Sequence, residues 1–183
     1  MDRKRLYLDA KTPQELMDFM DEYIKYGWLD SKGVEHIDTL KDFREEYHTS
    51  SLDDSMKSGL ATCIEQADII KSFFDRFGFE TKIFCHRKFE TDANYGKKVY
   101  MHCLVFYKDN KGTWYYFEHS NTNYKGIHKC TTLEEKLSSI IIKYRERNDI
   151  RSVTEIPYIP SGLSFKEFNE FVNNYEETQI KTR

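Results

Sequence analysis

Apolar positions recur at helical spacing in four stretches, and each opens on the same punctuation. A Ser or Thr stands where it can cap the first turn, and an acidic residue three positions on can reach back to it. Thr12-Pro13-Gln14-Glu15, with proline at the first helical position, predicts a helix carrying Leu16, Met20, Tyr23 and Ile24 on one face and stopping at Gly27. Thr62-Cys63-Ile64-Glu65 predicts a second that ends at Gly78, with Cys63, Ala67, Ile70, Phe74 and Phe77 on one inward face. Thr132-Leu133-Glu134-Glu135 opens a third, with Leu137, Ile140, Ile141 and Tyr144 inward. Ser164-Phe165-Lys166-Glu167 opens a fourth, carrying Phe168, Phe171, Val172 and Tyr175. A shorter helix is expected over 40–47.

Between the second and third boxes the period changes from helical to extended. Residues 81–86, 99–107 and 113–119 are rich in β-branched and aromatic side chains, and Asp109-Asn110-Lys111-Gly112 is a turn cluster joining the last two. Helices, then an antiparallel meander, then helices make an α+β fold rather than an alternating α/β one. The polar run 87–98 reads as a mobile hairpin loop, and 49–60 as an irregular approach to the second helix; both are candidates for substrate contacts. With no repeat and no linker, residues 1–183 form a single domain: a core at about 55–120, an N-terminal helical part at 12–50 and a C-terminal helical part at 132–176.

Composition narrows the partners. The 183 residues carry 28 Lys+Arg against 31 Asp+Glu, a balance that argues against a nucleic-acid binder; Arg3-Lys4-Arg5 and Lys97-Lys98 read as solvated surface. No apolar run reaches the length of a membrane span and the first residues lack the apolar stretch of a signal peptide, so a cytoplasmic protein is expected. In that reducing compartment Cys63, Cys85, Cys103 and Cys130 are expected as free thiols.

One of the four stands apart. Cys63 falls at the first position of the second helix, over unpaired N–H groups and the positive end of the helix dipole, where a thiolate is favoured. The same position equally suits a small buried apolar residue. The hairpin supplies a second constraint. If 108–112 forms a five-residue connection, Tyr107 faces Thr113 and His102 stands opposite Glu118. A four-residue loop sets His102 opposite His119 instead and turns Glu118 to the other face. Cysteine at a helix start, histidine on a strand and an acid on the next strand form the set nucleophile, base and orienter.

This order of residues resembles the transglutaminase-like core of the papain-like fold. The resemblance rests on Cys63 at a helix start, on Phe77-Gly78-Phe79 leading into Thr81-Lys82-Ile83, on His102, and on Trp114-Tyr115-Tyr116-Phe117-Glu118. It implies that Cys63 is the nucleophile, His102 the general base and acid, and Glu118 the orienter, where the family more often has Asp. The family usually has Gly two residues before the cysteine, where this chain has Ala61, and commonly Trp after the histidine, where it has Cys103. The backbone N–H of Cys63 offers one oxyanion donor; no upstream residue stands out as the second. The implied activity is thiol-dependent acyl transfer or amide or peptide hydrolysis on a peptide or protein amide, with no cofactor. The alternative is a catalytically inactive transglutaminase-like fold that serves as a protein-binding module.

A metal site at Cys85-His86 and His102-Cys103, with His119, His128 and Cys130 nearby, is disfavoured because adjacent strand residues point to opposite faces and the spacing fits no zinc pattern. Trp28, Tyr115, Tyr116 and Tyr124 are candidates to line a cleft, while His36, His48 and His128 read as surface or loop residues.

Overall fold

A computed structural model of the chain describes residues 2–92, 96–144 and 150–175 and has an α+β fold. Its helices are α1 (Arg3–Asp9), α2 (Pro13–Tyr23), α3 (Phe43–Glu46), α4 (Leu52–Ser58), α5 (Cys63–Arg76), α6 (Leu133–Tyr144) and α7 (Phe165–Asn173). Its strands are β1 (Lys25–Leu29), β2 (Glu35–Ile37), β3 (Leu60–Ala61), β4 (Glu80–Asp92), β5 (Gly96–Lys108), β6 (Trp114–Glu118), β7 (Gly126–Lys129) and β8 (Ile150–Ile156). A five-stranded antiparallel sheet has the order β7-β6-β5-β4-β8; a three-stranded one has the order β2-β1-β3, with β1 and β3 parallel.

Strand alternation divides the larger sheet into two apolar faces. Ile83, Cys85, Cys103, Val105 and Tyr107 face α5, whose Ala67, Ile70 and Phe74 lie in the same cluster. Phe84, Leu104, Phe106, Tyr116 and Val153 face α6 through Leu133, Leu137, Ile140 and Ile141. The side chain of Tyr144, expected on that inward face, lies outside the described residues, and Phe77 of the α5 stripe is exposed.

Three expected helix starts form complete capping boxes, at Thr12, Thr62 and Ser164, and Thr132 caps α6 by accepting the Glu135 N–H at 3.1 Å. Gly78, at φ +72°, follows the α5 C-terminus as expected. Other boundaries differ. The second-helix approach at 49–60 contains α4, capped by Ser51 and stopped by Gly59 at φ +74°. The 40–47 helix shrinks to α3. Gly27 does not end α2, which stops at Tyr23; it lies in β1, where a Cβ would meet the His36 carbonyl at 2.6 Å.

Of the polar run, 87–92 and 96–98 are paired strand rather than loop, with the β4–β5 ladder continuing to Asp92 opposite Gly96, and the residues between lie outside the described ones. Its polarity misled because β8, inside the stretch expected to be helical, covers β4 with polar partners. The buried Arg87 donates to Ser152 Oγ at 3.2 Å, Thr154 Oγ1 at 3.3 Å and Asn169 Oδ1 at 3.1 Å.

The β5–β6 turn is tighter than either loop considered from the sequence. Asp109 still pairs with Thr113, and Gly112 at φ +80° closes a three-residue turn by donating to the Asp109 carbonyl at 2.9 Å. Lys108 therefore faces Trp114 and Val105 faces Phe117. Glu118 keeps the face of His102 but reaches it diagonally rather than from directly opposite.

Candidate active site

The Thr62 capping box fixes Cys63 at the start of α5, and its acid is buried. Glu65 accepts from Thr62 N–H at 2.9 Å, Thr62 Oγ1 at 2.6 Å, Ser50 N–H at 3.1 Å and the Tyr47 hydroxyl. Burial raises its carboxyl pKa, against the lowering effect of these hydrogen bonds. The turn before Cys63 is braced from the other side. The Gln66 amide donates to the Ala61 carbonyl at 3.0 Å and its oxygen meets His119 Nδ1 at 2.8 Å, while His119 Nε2 lies 2.9 Å from Asp21 of α2.

Cys63 Sγ sits 3.7 Å from the carbonyl oxygen of Met101 and is also within hydrogen-bonding reach of the Cys103 backbone N–H. Those two backbone groups are two residues apart, so they point to one edge of β5. That edge is taken up by β6 from Val105 onward. The sulfur thus occupies the edge where β6 has ended, in line with the sheet rather than above it. This explains how two neighbours on opposite faces of β5, His102 and Cys103, both bond to it.

His102 Nε2 lies 2.8 Å from Glu118 Oε2, which leaves Nδ1 for the sulfur. Glu118 is buried and fully engaged. Oε2 also accepts from the Tyr116 hydroxyl, and Oε1 accepts from Ser120 Oγ at 3.0 Å and Asn121 N–H at 2.9 Å. Burial would raise its pKa, but the hydrogen bond and charge of His102, helped by Tyr116 and Asn121, bring it down to about 2. For His102 burial pulls the other way, and the hydrogen bonds and charges of Cys63 and Glu118 overcome it, raising the imidazole to about 10. The Cys63 thiol is held well below its ordinary value, first by the Cys103 S–H and then, against burial, by His102. These directions favour a thiolate–imidazolium pair with an ionised Glu118 behind it.

The structure brings together all three residues singled out in the sequence, and it adds two that were not. Tyr26 of β1 pairs in register with Ala61 and hydrogen-bonds the Cys63 sulfur; the thiolate charge, followed by burial, raises its phenol pKa. Cys103, expected only as a free thiol, donates to Cys63, and its Sγ is 3.7 Å from that of Cys85; both contacts raise its own pKa. All four cysteines are free.

No family model matches the chain, and no curated protein matches its sequence.

The remaining sequence candidates lie elsewhere. Trp28 is buried, stacked on His36 at 3.9 Å between ring centres, with Phe43 and Tyr47 edge-on to it, so it is core rather than cleft. Tyr116 is buried as the Glu118 partner, Tyr115 stacks on Tyr107, and Tyr124 lies under Lys143. His48 is exposed, whereas His36 and His128 are half-buried, His128 Nε2 lying 2.7 Å from the Tyr124 carbonyl. Cys85 and Cys103 share one sheet face and His86 and His102 the other; among the described residues no three His, Cys, Asp or Glu side chains are grouped to hold a metal ion. No helix among the described residues is long and apolar enough to cross a membrane.

Proposed function

We propose that this chain is a cytoplasmic thiol enzyme with a transglutaminase-like core, carrying acyl groups on Cys63 during amide hydrolysis or acyl transfer. The observation that carries the reading is the Cys63–His102–Glu118 chain, with the 2.8 Å bond from His102 Nε2 to Glu118 directing Nδ1 toward the sulfur. The thiolate attacks an amide carbonyl, forming the C–S bond, and the oxygen takes the negative charge. The Cys63 N–H at the helix start and the Tyr26 hydroxyl are the two donors at hand for that oxygen. His102 gives its Nδ1 proton to the leaving nitrogen as the C–N bond breaks. It then takes a proton from water or a second amine, which attacks the thioester and returns the sulfur as thiolate. Water gives hydrolysis and an amine gives transfer.

The test is alkylation with iodoacetamide followed by mass mapping of each cysteine. Cys63 is expected to react at least about tenfold faster than Cys85, Cys103 and Cys130 at neutral pH, and His102→Ala to abolish the difference. Slow, equal labelling of all four overturns the enzyme reading in favour of a binding module.

A further inference from the structure

Three of the four cysteines form one cluster, with Cys103 in the middle. Its thiol donates to the Cys63 sulfur and lies 3.7 Å from Cys85 Sγ, and all three residues are buried. Cys85 and Cys103 stand directly opposite each other in the β4–β5 ladder. The Met101 carbonyl and the Cys103 N–H turn to the Cys63 side of β5 and away from β4, so the two cysteines form a non-hydrogen-bonded pair. Cα atoms in such a pair are about 4.5 Å apart, inside the range of about 4.4–6.8 Å that a disulfide spans. Access differs among the three. Cys63 lines a cavity of about 110 Å³ between Tyr26, Phe43, Val99 and Phe165, whereas Cys85 and Cys103 line neither that cavity nor the one beside it around His86 and His102. A hydroperoxide entering from solvent therefore meets Cys63 first.

We propose that Cys63 is a peroxide-reactive site whose oxidation is passed through Cys103 to Cys85, ending as a Cys85–Cys103 disulfide that leaves the nucleophile reduced. The proposal rests on the Cys63–His102 pair of the thiol-enzyme reading above, and on none of its acyl chemistry. The Cys63 thiolate attacks one oxygen of hydrogen peroxide; the O–O bond breaks, and the departing hydroxide takes the His102 proton and leaves as water. The Cys103 sulfur then attacks the Cys63 sulfenic acid. The S–O bond breaks, and the hydroxyl leaves as water with the proton that Cys103 gives up. Next the Cys85 sulfur attacks Cys103 and the bond to Cys63 breaks. Cys63 takes the electron pair, and the Cys85 proton restores the imidazolium. In sum, two thiols and one peroxide give one disulfide and two waters. The leaving group sets the direction of the last exchange, because the thiol of lower pKa departs faster. Cys63 is held low first by the Cys103 thiol and then, against burial, by His102, and His102 still serves it when Cys103 is in the disulfide. Cys103 is raised by its contacts with Cys63 and Cys85. Diversion at the sulfenic stage also keeps Cys63 from the sulfinic acid, which thiols do not reduce.

The test treats the reduced full chain with an equimolar amount of hydrogen peroxide, quenches with N-ethylmaleimide and maps the cysteines by mass under non-reducing conditions. A peptide pair linked through Cys85 and Cys103 is expected, with Cys63 still labelling and both lost labels returning after dithiothreitol. Cys63→Ala is expected to slow the disulfide at least about tenfold, because the thiolate that meets peroxide is gone. Cys85→Ala is expected to stop the sequence at a Cys63–Cys103 disulfide. If Cys85→Ala does not fold, the unsubstituted chain and Cys63→Ala carry the test. The relay is overturned by a Cys63 sulfinic acid with Cys85 and Cys103 still labelling, by a Cys63–Cys103 disulfide that persists in the unsubstituted chain, or by a Cys85–Cys103 disulfide that forms as fast in Cys63→Ala. Each of these leaves the enzyme reading to its own test with iodoacetamide. Slow, equal oxidation of all four cysteines, matched by slow, equal alkylation, removes both.

Discussion

Glu118→Gln keeps the size of the orienting side chain and removes its charge. Glu118 Oε1 accepts from Ser120 and Asn121, and Oε2 from His102 and Tyr116. A glutamine can keep its oxygen toward the Asn121 N–H, which cannot accept, only by turning its NH2 toward Tyr116 and His102. His102 Nε2 must then be an acceptor, which puts the single proton of the neutral ring on Nδ1, facing the sulfur it should receive a proton from. A hydrogen bond to a charged group contributes about 1.5–3 kcal/mol, and one pKa unit corresponds to about 1.4 kcal/mol. Losing it takes His102 from about 10 down by roughly one to two units. The ion pair exists above the Cys63 pKa and below that of His102, so its alkaline limit falls while its acid limit changes less. The assay is thiolate absorbance near 240 nm together with the iodoacetamide rate, both followed from pH 4 to 11. An alkaline limb still near 10 in the variant would refute the orienting role of Glu118.

Tyr26→Phe removes a donor to the thiolate and the side-chain donor assigned to the oxyanion. Turnover of an amide or ester reporter is expected to fall by about 10²–10³, with a small rise in the pH midpoint of Cys63 alkylation; unchanged turnover would remove Tyr26 from the mechanism. Gly27→Ala drives a methyl to 2.6 Å from the His36 carbonyl across the β1–β2 pair. A loss of about 1–3 kcal/mol in chemical denaturation is expected, and an unshifted midpoint would show that the small sheet yields at no cost.

What could be read in the sequence was what is local. The helix starts at Thr12, Thr62 and Ser164 follow from side chains three residues apart, and all three capping boxes form. Cys63 and His102 were visible for the same reason, one from a cap and the other from strand alternation. Helix α4 escaped although Ser51 and Asp54 have the spacing of the other caps, because its seven residues, Leu52–Ser58, are too few to show an apolar period. Strand β8 escaped because its reason to be extended is β4, far away in the chain. Tyr26 reaches the sulfur only through the parallel pairing of β1 with β3, and no residue near Tyr26 announces it. The β5–β6 register depended on a three-residue turn that Asp109 and Gly112 define together, and a slide of the strand moved Glu118 along His102's face without removing it.

The position of the sulfur at the end of β6 ties its reactivity to the order of synthesis. Tyr26 and Asp21 leave the ribosome before Cys63, but His102, Cys103 and Glu118 follow it, and each is part of what lowers or orients the thiol. A nascent chain that has exposed α5 alone carries an ordinary, sluggish cysteine. The full set of contacts exists only when β5, β6 and β1 have all docked on the helix start, so fast alkylation of Cys63 is expected to report the assembled site. A fragment holding only 55–120 would contain the whole triad and still lack Tyr26 and the α2 brace, and its thiol would lose those two supports.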